Sequence, residues 1–236
     1  MTDHLFIWPE LIRGTLIRRY KRFLADVLLE DGETIVVHCP NSGRMLTCSE
    51  PGRQVYLSYS ANKTRKLPWT WEMIGMPDSL VVVNTLRTNA LVKAAVQKGF
   101  IPELSGYTGI KGEVPVGNHS RIDFLLTAEG REPCLMEVKS STLVETGIAR
   151  FPDAVTVRGL KHLRELRDAA GRGYRSVMFY LVQRTDARAF EPACAIDPAY
   201  GRELKAVHSL GVEIVAYDTL ISPSCIDIGR RIPVIL

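Results

Sequence analysis

The sequence has no apolar run long enough to span a bilayer, and its start, Met1-Thr2-Asp3-His4, lacks the basic region and apolar stretch of a secretion signal. A cytoplasmic protein with no membrane partner is expected. Cysteine is sparse. Cys39, Cys48, Cys134, Cys194 and Cys225 are odd in number and include no Cys-x-x-Cys pair, which argues against a disulfide framework and a zinc knuckle. The glycines of Gly106-Tyr107-Thr108-Gly109-Ile110-Lys111-Gly112 lack the Walker spacing, and no Gly-x-Ser-x-Gly elbow occurs, so nucleotide hydrolysis and serine catalysis are poor candidates. Internal repeats, low-complexity segments and long linkers are also missing. His4, His38, His119 and His208 are scattered without ligand spacing and are assigned nothing.

What is present is ordinary for a globular protein: 46% hydrophobic and 24% charged residues in a chain of 236, enough for one large core or two small ones. The net charge of +4 is too small to identify a partner, so the clustering of basic residues says more. Arg18, Arg19, Lys21 and Arg22 surround Tyr20, and Lys63, Arg65 and Lys66 precede Trp69 and Trp71. Cations interleaved with aromatics suit backbone phosphates and stacked bases. A solvated basic face beside core aromatics would read the same way.

From residue 11 to about 83 the chain reads as short strands: 14–17, 23–29, 34–39, 54–60, 69–74 and 79–83. They are rich in β-branched and aromatic residues, and Asp31-Gly32 is a hairpin signal. This is the inventory of a small β-barrel such as the oligonucleotide-binding (OB) fold, although an SH3-like barrel would look similar. From Asn84 the pattern changes. Thr88-Asn89-Ala90 opens a helix that Gly99 stops, and strands follow at 112–116, 121–126 and 134–139. A helix over 157–170, with Leu160, Leu163, Leu166 and Val157 as its inner stripe, leads to a strand over 176–182, a helix over 199–210 and a strand over 212–217. The expected fold class is α/β (α+β), with an OB-fold-like β-barrel over residues 1–83 and a mixed-sheet domain over 84–236.

Two strands place polar groups in otherwise apolar runs, Arg121-Ile122-Asp123-Phe124-Leu125-Leu126 and Leu135-Met136-Glu137-Val138-Lys139-Ser140. Alternate side chains of a strand share a face, so Glu137 and Lys139 point the same way. A hairpin through Gly130 sets Asp123 across from Glu137. Two carboxylates suit a hard divalent cation such as Mg²⁺ or Mn²⁺, and Lys139 beside them could hold the attacking water and offset charge on phosphorus. Glu113, one strand earlier, is a candidate further metal-facing carboxylate. A solvated surface pair is the plain alternative for Glu137 and Lys139.

On the following helix Arg158, Lys161 and His162 are candidate phosphate contacts, with Arg158 and His162 four apart. Asp153, after Phe151-Pro152, is expected to cap that helix. Asn41 and Gly43 make a tight turn that displays Arg44.

The Asp…Glu-x-Lys layout on this order of elements is similar to the PD-(D/E)XK nuclease superfamily. Longer stretches resemble the sugar fermentation stimulation protein A (SfsA) family. They are Asn41-Ser42-Gly43-Arg44-Met45, Lys63-Thr64-Arg65-Lys66, Trp69-Thr70-Trp71-Glu72, Val83-Asn84-Thr85, Ser120 to Leu126, Glu137-Val138-Lys139 and Phe151-Pro152-Asp153-Ala154-Val155-Thr156, with Arg158-Gly159 and Lys161-His162-Leu163. Ser42 departs from the Thr or Pro expected there. The resemblance spans nearly the whole chain. It implies a bacterial or archaeal cytoplasmic DNA-binding protein, with an OB-like domain, a nuclease-like domain and a proposed role in regulating sugar metabolism.

Two functions are therefore expected to compete. One is a metal-dependent phosphodiesterase using Asp123, Glu137 and Lys139, and the other a non-catalytic DNA-binding regulator that retains the fold. Arg18, Arg19, Arg22, Arg44, Lys63, Arg65, Lys66, Arg158, Lys161 and His162 are the expected nucleic-acid contacts. The choices between DNA and RNA and between single and double strands, and homodimerisation, stay open at this point.

Overall fold

The computed structural model describes residues 4–117 and 120–236. A two-residue strand, β1 (Phe6–Ile7), precedes β2 (Leu11–Tyr20), β3 (Leu24–Leu29), β4 (Thr34–His38), β5 (Gln54–Tyr59), β6 (Trp69–Met76) and β7 (Ser79–Val82). Strands β2 to β7 form one sheet in the order β4-β3-β2-β5-β6-β7, and a parallel pairing of His38 with Thr70 joins β4 to β6 and closes it. The closed ring runs first, second, third, fifth, fourth strand and back to the first, which is the OB arrangement and not the SH3-like one. Alternation fills its interior with Leu16, Val27, Val37, Val55, Leu57, Trp71 and Ile74. At the β3–β4 turn Gly32 takes φ +89°, a conformation glycine adopts without steric penalty.

The second unit opens with a 3₁₀ turn (Thr85–Arg87) and α1 (Thr88–Gln97). There follow β8 (Gly109–Val116), β9 (Ser120–Thr127), β10 (Cys134–Ser141), β11 (Leu143–Glu145), β12 (Ile148–Phe151), α2 (Val157–Ala170), β13 (Arg175–Val182), β14 (Ala189–Pro192), α3 (Pro198–Ser209), β15 (Glu213–Ile221) and β16 (Cys225–Arg231). A seven-stranded sheet has the order β1-β16-β15-β13-β10-β9-β8, with β10, β13 and β15 parallel. β11, β12 and β14 make a small separate sheet.

The central strands are apolar on both faces because helices cover both. Met136, Val138 and Phe179 pack with Leu91, Val92 and Ala95 of α1. Leu135, Met178, Tyr180 and Ala216 pack with Leu163 and Leu166 of α2 and Leu204 of α3. A meander followed by a helix and a parallel strand is the nuclease-like order expected of the PD-(D/E)XK fold. No helix among the described residues is long and apolar enough to cross a membrane.

Three local expectations are corrected. The cap of α2 is Thr156, whose Oγ1 accepts the Gly159 N–H at 3.0 Å, and not Asp153. Asp153 instead accepts the Met45 N–H at 2.9 Å, reaching across to the barrel. Val157 is 80% exposed and Leu160 only half-buried, because the inner stripe of α2 runs Gly159, His162, Leu163, Leu166 and Ala169. The N-terminal strand belongs to the larger sheet: Phe6 pairs with Ile226, and His4 Nδ1 lies 2.7 Å from Asp227 Oδ2.

The barrel docks through buried polar contacts. Arg184 donates to the carbonyls of Thr47 (3.1 Å) and Thr142 (3.3 Å) while paired with Asp186 at 2.6 Å. Glu72, fully buried, accepts from Ser58 (2.7 Å) and Asn84 (2.7 Å) and faces the Arg87 guanidinium at 3.5 Å. At Gly43 a Cβ would stand 2.5 Å from Asp153 Oδ2 and 3.0 Å from Asn41 Oδ1. Gly43→Ala is therefore expected to destabilise by about 1–3 kcal/mol, measured by urea unfolding. Unchanged stability would show that this contact does not hold the loop.

Candidate active site

The site lies where two paired strands separate. The β9–β10 ladder ends at Phe124 opposite Met136. Beyond that pair the backbone groups find side chains: Val138 N–H donates to Asp123 Oδ2 at 2.8 Å, and Asp123 N–H donates to Glu137 Oε2 at 3.3 Å. Buried backbone donors need partners, so each carboxylate is fixed by the amide that the parting strands leave open. Asp123 Oδ1 also accepts from Asn89 Nδ2 at 2.8 Å, which brings in the first turn of α1.

Glu137 and Lys139 are two apart on β10, and Lys139 Nζ donates to Glu137 Oε1 at 2.6 Å. The same oxygen meets His162 Nδ1 in a short contact, and Lys139 Nζ lies 3.2 Å from that nitrogen. One imidazole nitrogen cannot donate to the carboxylate and accept from the lysine at once. With its proton directed at Glu137, the ring fixes the carboxylate and the ammonium has Glu137 as its acceptor. Glu137 is 2% exposed, so its carboxylate is almost dry, while Lys139 is half-buried.

The two carboxyls respond differently to their surroundings. Asp123 is held above the usual aspartate range, first by burial and then by the charge of Glu137, against the hydrogen bonds from Val138 N–H and Asn89. Burial alone would raise Glu137 as well. The hydrogen bond from His162 and the charges of Lys139 and His162 outweigh it, and Glu137 lies below its usual range. Two hard oxygen donors, one of them costly to ionise beside the other, suit a divalent cation that would relieve their repulsion.

The structure brings Asp123, Glu137 and Lys139 together. Glu113 stands at φ +53° between the pairs Gly112–Phe124 and Val114–Ile122, on the part of β8 opposite Asp123. It is exposed and borders a groove of about 720 Å³ with Arg121, Arg158, Lys161 and His162. Sequence reasoning took His162 for a surface phosphate contact, but it is buried and turned onto Glu137. It took Asn89 only as a helix start, and nothing in its spacing marked it for Asp123.

The basic residues divide by their commitments. Arg18 pairs with Asp26 at 2.7 Å and lies over the Tyr20 ring. Arg19 donates to the carbonyls of Asn41, Gly43 and Arg44. Arg65 donates to Thr70 Oγ1 at 2.9 Å, and Lys63 and Lys66 are exposed beside it. Trp71 is fully buried in the barrel and cannot stack on a base, whereas Trp69 is half-buried against Tyr59. Arg44 is exposed, and Arg22 borders a cleft between the two units. His119 lies outside the described residues. Away from the site, His4, Cys225 and Asp227 offer ligand atoms within 4.8 Å of one another, a softer donor set than the paired carboxylates.

Two family models match the chain, the SfsA N-terminal OB domain over residues 17–83 and the sugar fermentation stimulation protein RE domain over residues 86–225. The chain belongs to the SfsA family. A sugar fermentation stimulation protein homolog from Acidithiobacillus ferrooxidans is 51% identical over 228 residues, covering 96% of this chain and 98% of that one. One from Pelobacter propionicus is 52% identical over 228 residues, covering 97% and 99%. The solved structure of Pyrococcus furiosus SfsA in complex with Ca²⁺ is similar over 100% of both chains, with 26% identity and a TM-score of 0.90.

In this SfsA-family chain the raised Asp123 carboxyl has a consequence for stability. The folded state holds that proton more tightly than the unfolded chain, so the stabilisation is complete below the ordinary aspartate range and is lost as pH rises through the raised value. At neutral pH the ionised group is a net cost. Asp123→Asn, with the Asn89 amide turned to match, should raise the thermal midpoint at pH 7, and the gain should shrink as pH falls to about 4. Equal midpoints at pH 7 would contradict the account.

Proposed function

We propose that this SfsA-family protein is a divalent-metal-dependent phosphodiesterase acting on DNA. The observation that carries the reading is the pair of carboxylates fixed where β9 and β10 part, with Lys139 Nζ 2.6 Å from Glu137. Asp123 and Glu137 would hold the cation, Mg²⁺ or Mn²⁺, and Glu113 is the neighbouring acid that could add to them. The relative solved with Ca²⁺ supports a hard divalent ion, since Ca²⁺ shares the preference for oxygen ligands. A bound cation supplies Lewis-acid polarisation of a phosphate oxygen and a lowered pKa for water.

The chain's own groups do the positioning. Glu137, fixed by His162, holds the Lys139 ammonium against the site. From there Nζ can donate to a phosphate oxygen, offset the negative charge that grows as a water oxygen attacks phosphorus, or pass a proton. Asn89 and the Val138 amide fix the Asp123 carboxylate from two directions and limit its rotation. In this reading the barrel, β2 to β7, grips the nucleic acid and residues 84–236 carry the chemistry.

The family's name supports a second reading, in which DNA binding regulates sugar metabolism and cleavage is not the output. One experiment separates the two. Labelled single- and double-stranded DNA incubated with the purified protein and Mn²⁺ should be cut. Lys139→Ala should slow the cutting about 10²-fold or more, and Asp123→Ala should abolish it. Cutting that survives Asp123→Ala unchanged would remove the site assignment, and binding without cutting by the wild type would favour the regulatory reading.

A further inference from the structure

The basic turn between β2 and β3 holds one arginine with no internal task. Arg18 and Arg19 are committed to Asp26 and to the carbonyls of the 41–44 loop. Arg22 makes no hydrogen bond or ion pair among the described residues. Its backbone is also unusual. Lys21 and Arg22 take φ +46° and +64°, a left-handed conformation that costs a side-chain-bearing residue about 1–2 kcal/mol and that hairpins normally give to Asn-Gly. Strain of this kind persists where the surroundings hold it and a function uses it.

Arg22 opens onto a cleft of about 440 Å³ between the barrel and the mixed-sheet domain. The barrel wall is the loop of Asn41, Ser42 and Gly43, and the facing wall is the 151–156 segment that enters α2. Both walls are fixed. Asn41 Oδ1 accepts the Gly43 N–H at 2.8 Å, its Nδ2 donates to the Val83 carbonyl at 3.1 Å, and Asp153 joins the walls through the Met45 N–H. The other arginine of the cleft, Arg150, is neutralised by Glu145 and Glu191 at 2.8 and 2.6 Å. Arg22 is thus the cation there without a partner.

The cleft reaches the strand that carries the candidate active site, through Ser140 and Ser141 of β10. Ser141, which borders it, is two residues beyond Lys139 on β10 and therefore on the same strand face, one repeat or about 7 Å away. His162, which contacts Glu137 and Lys139, also borders the groove of Arg121, Arg158 and Lys161. The site thus has a cation-bearing depression adjoining it at Ser141 and another at His162. The cleft is of the size that encloses a small ligand, enough for a nucleotide or two. Its walls are tied to each other by the Asp153 hydrogen bond, and at about 440 Å³ it is sized for a single strand rather than a duplex. Val155, 73% exposed on the cleft wall, offers an apolar surface to a base.

We propose that this cleft is the binding track for a single DNA strand, with Arg22 as its phosphate anchor on the barrel. The strand crosses Glu137 and Lys139 and leaves along the groove of Arg121 and Arg158. The substrate class is accordingly single-stranded DNA, or a single-stranded end of a larger molecule. The inference rests on the nuclease reading above, and it assigns Arg22 a positioning role.

Fluorescence anisotropy in EDTA, with the full-length protein, tests it. The probes are a labelled oligothymidylate of about twenty nucleotides and a duplex of the same length. Wild type should bind the single strand more tightly than the duplex. Arg22→Gly should weaken single-strand binding about tenfold or more and reduce the salt slope by about 0.7, the share of one phosphate contact. Its thermal midpoint should stay level or rise, because glycine accepts the left-handed backbone. A merely structural arginine would lower the midpoint instead. Ser42→Trp, which fills the cleft from a residue that makes no hydrogen bond among the described residues, should produce a comparable loss of binding. If Arg22→Gly and Ser42→Trp both bind like wild type, the cleft is not the track, although wild-type binding would keep the nuclease reading alive. Preference for the duplex overturns the substrate class. Binding of neither probe sinks the DNA reading itself and this proposal with it.

Discussion

The candidate site depends on the failure of two strands to stay paired. Up to Phe124 and Met136 the backbones of β9 and β10 satisfy each other, and beyond that pair they diverge. Divergence strips buried amides of their partners, a penalty a fold must remove. Here Asp123 and Glu137 remove it, each accepting an amide proton of the neighbouring strand. The carboxylates are thus structural acceptors and candidate ligands together. Their oxygens are oriented before any ion or substrate arrives, and such preorganisation separates a binding site from a flexible acidic cluster.

Around that gap the fold supplies opposing electrostatic environments within one site. Glu137 has His162 and Lys139 against it and is held ionised, whereas Asp123 has a neutral amide and a neighbouring negative charge and is held towards its protonated form. The supports come from separate elements. α1 contributes Asn89 and α2 contributes His162, and a single residue, Asp197, fixes the starts of both α2 and α3 by accepting from Thr156 N–H and Tyr200 N–H. Helix placement on both faces of the sheet therefore feeds directly into the position of two carboxyl groups.

Much of this was legible in the sequence. Alternation within Leu135 to Ser140 was enough to put Glu137 and Lys139 on one face, and the bounds read for α2 match the structure although its inner stripe is not the one expected. The OB-like barrel was readable from its strands, but closure depends on the His38–Thr70 pairing, which is non-local and has no sequence signal. The inward turn of His162 was missed for a related reason. Helical spacing groups it with Arg158 as well as with the buried stripe, and only the nearness of Glu137 decides between them. Trp71 shows the opposite error, where an aromatic beside basic residues belongs to the core, and the strand period, which groups it with half-buried Trp69, does not separate the two.

The smallest strand has a topological meaning. β1 lies before the barrel in the chain, yet it pairs with β16 at the outer edge of the seven-stranded sheet, where His4 and Asp227 pin it. The barrel is in effect inserted between the first strand of the larger sheet and all the others. A chain divided after Val83 would not yield two self-sufficient pieces, because the C-terminal fragment would expose the unpaired edge of β16 to other molecules. The two units are joined by shared sheet construction as well as by a connecting segment.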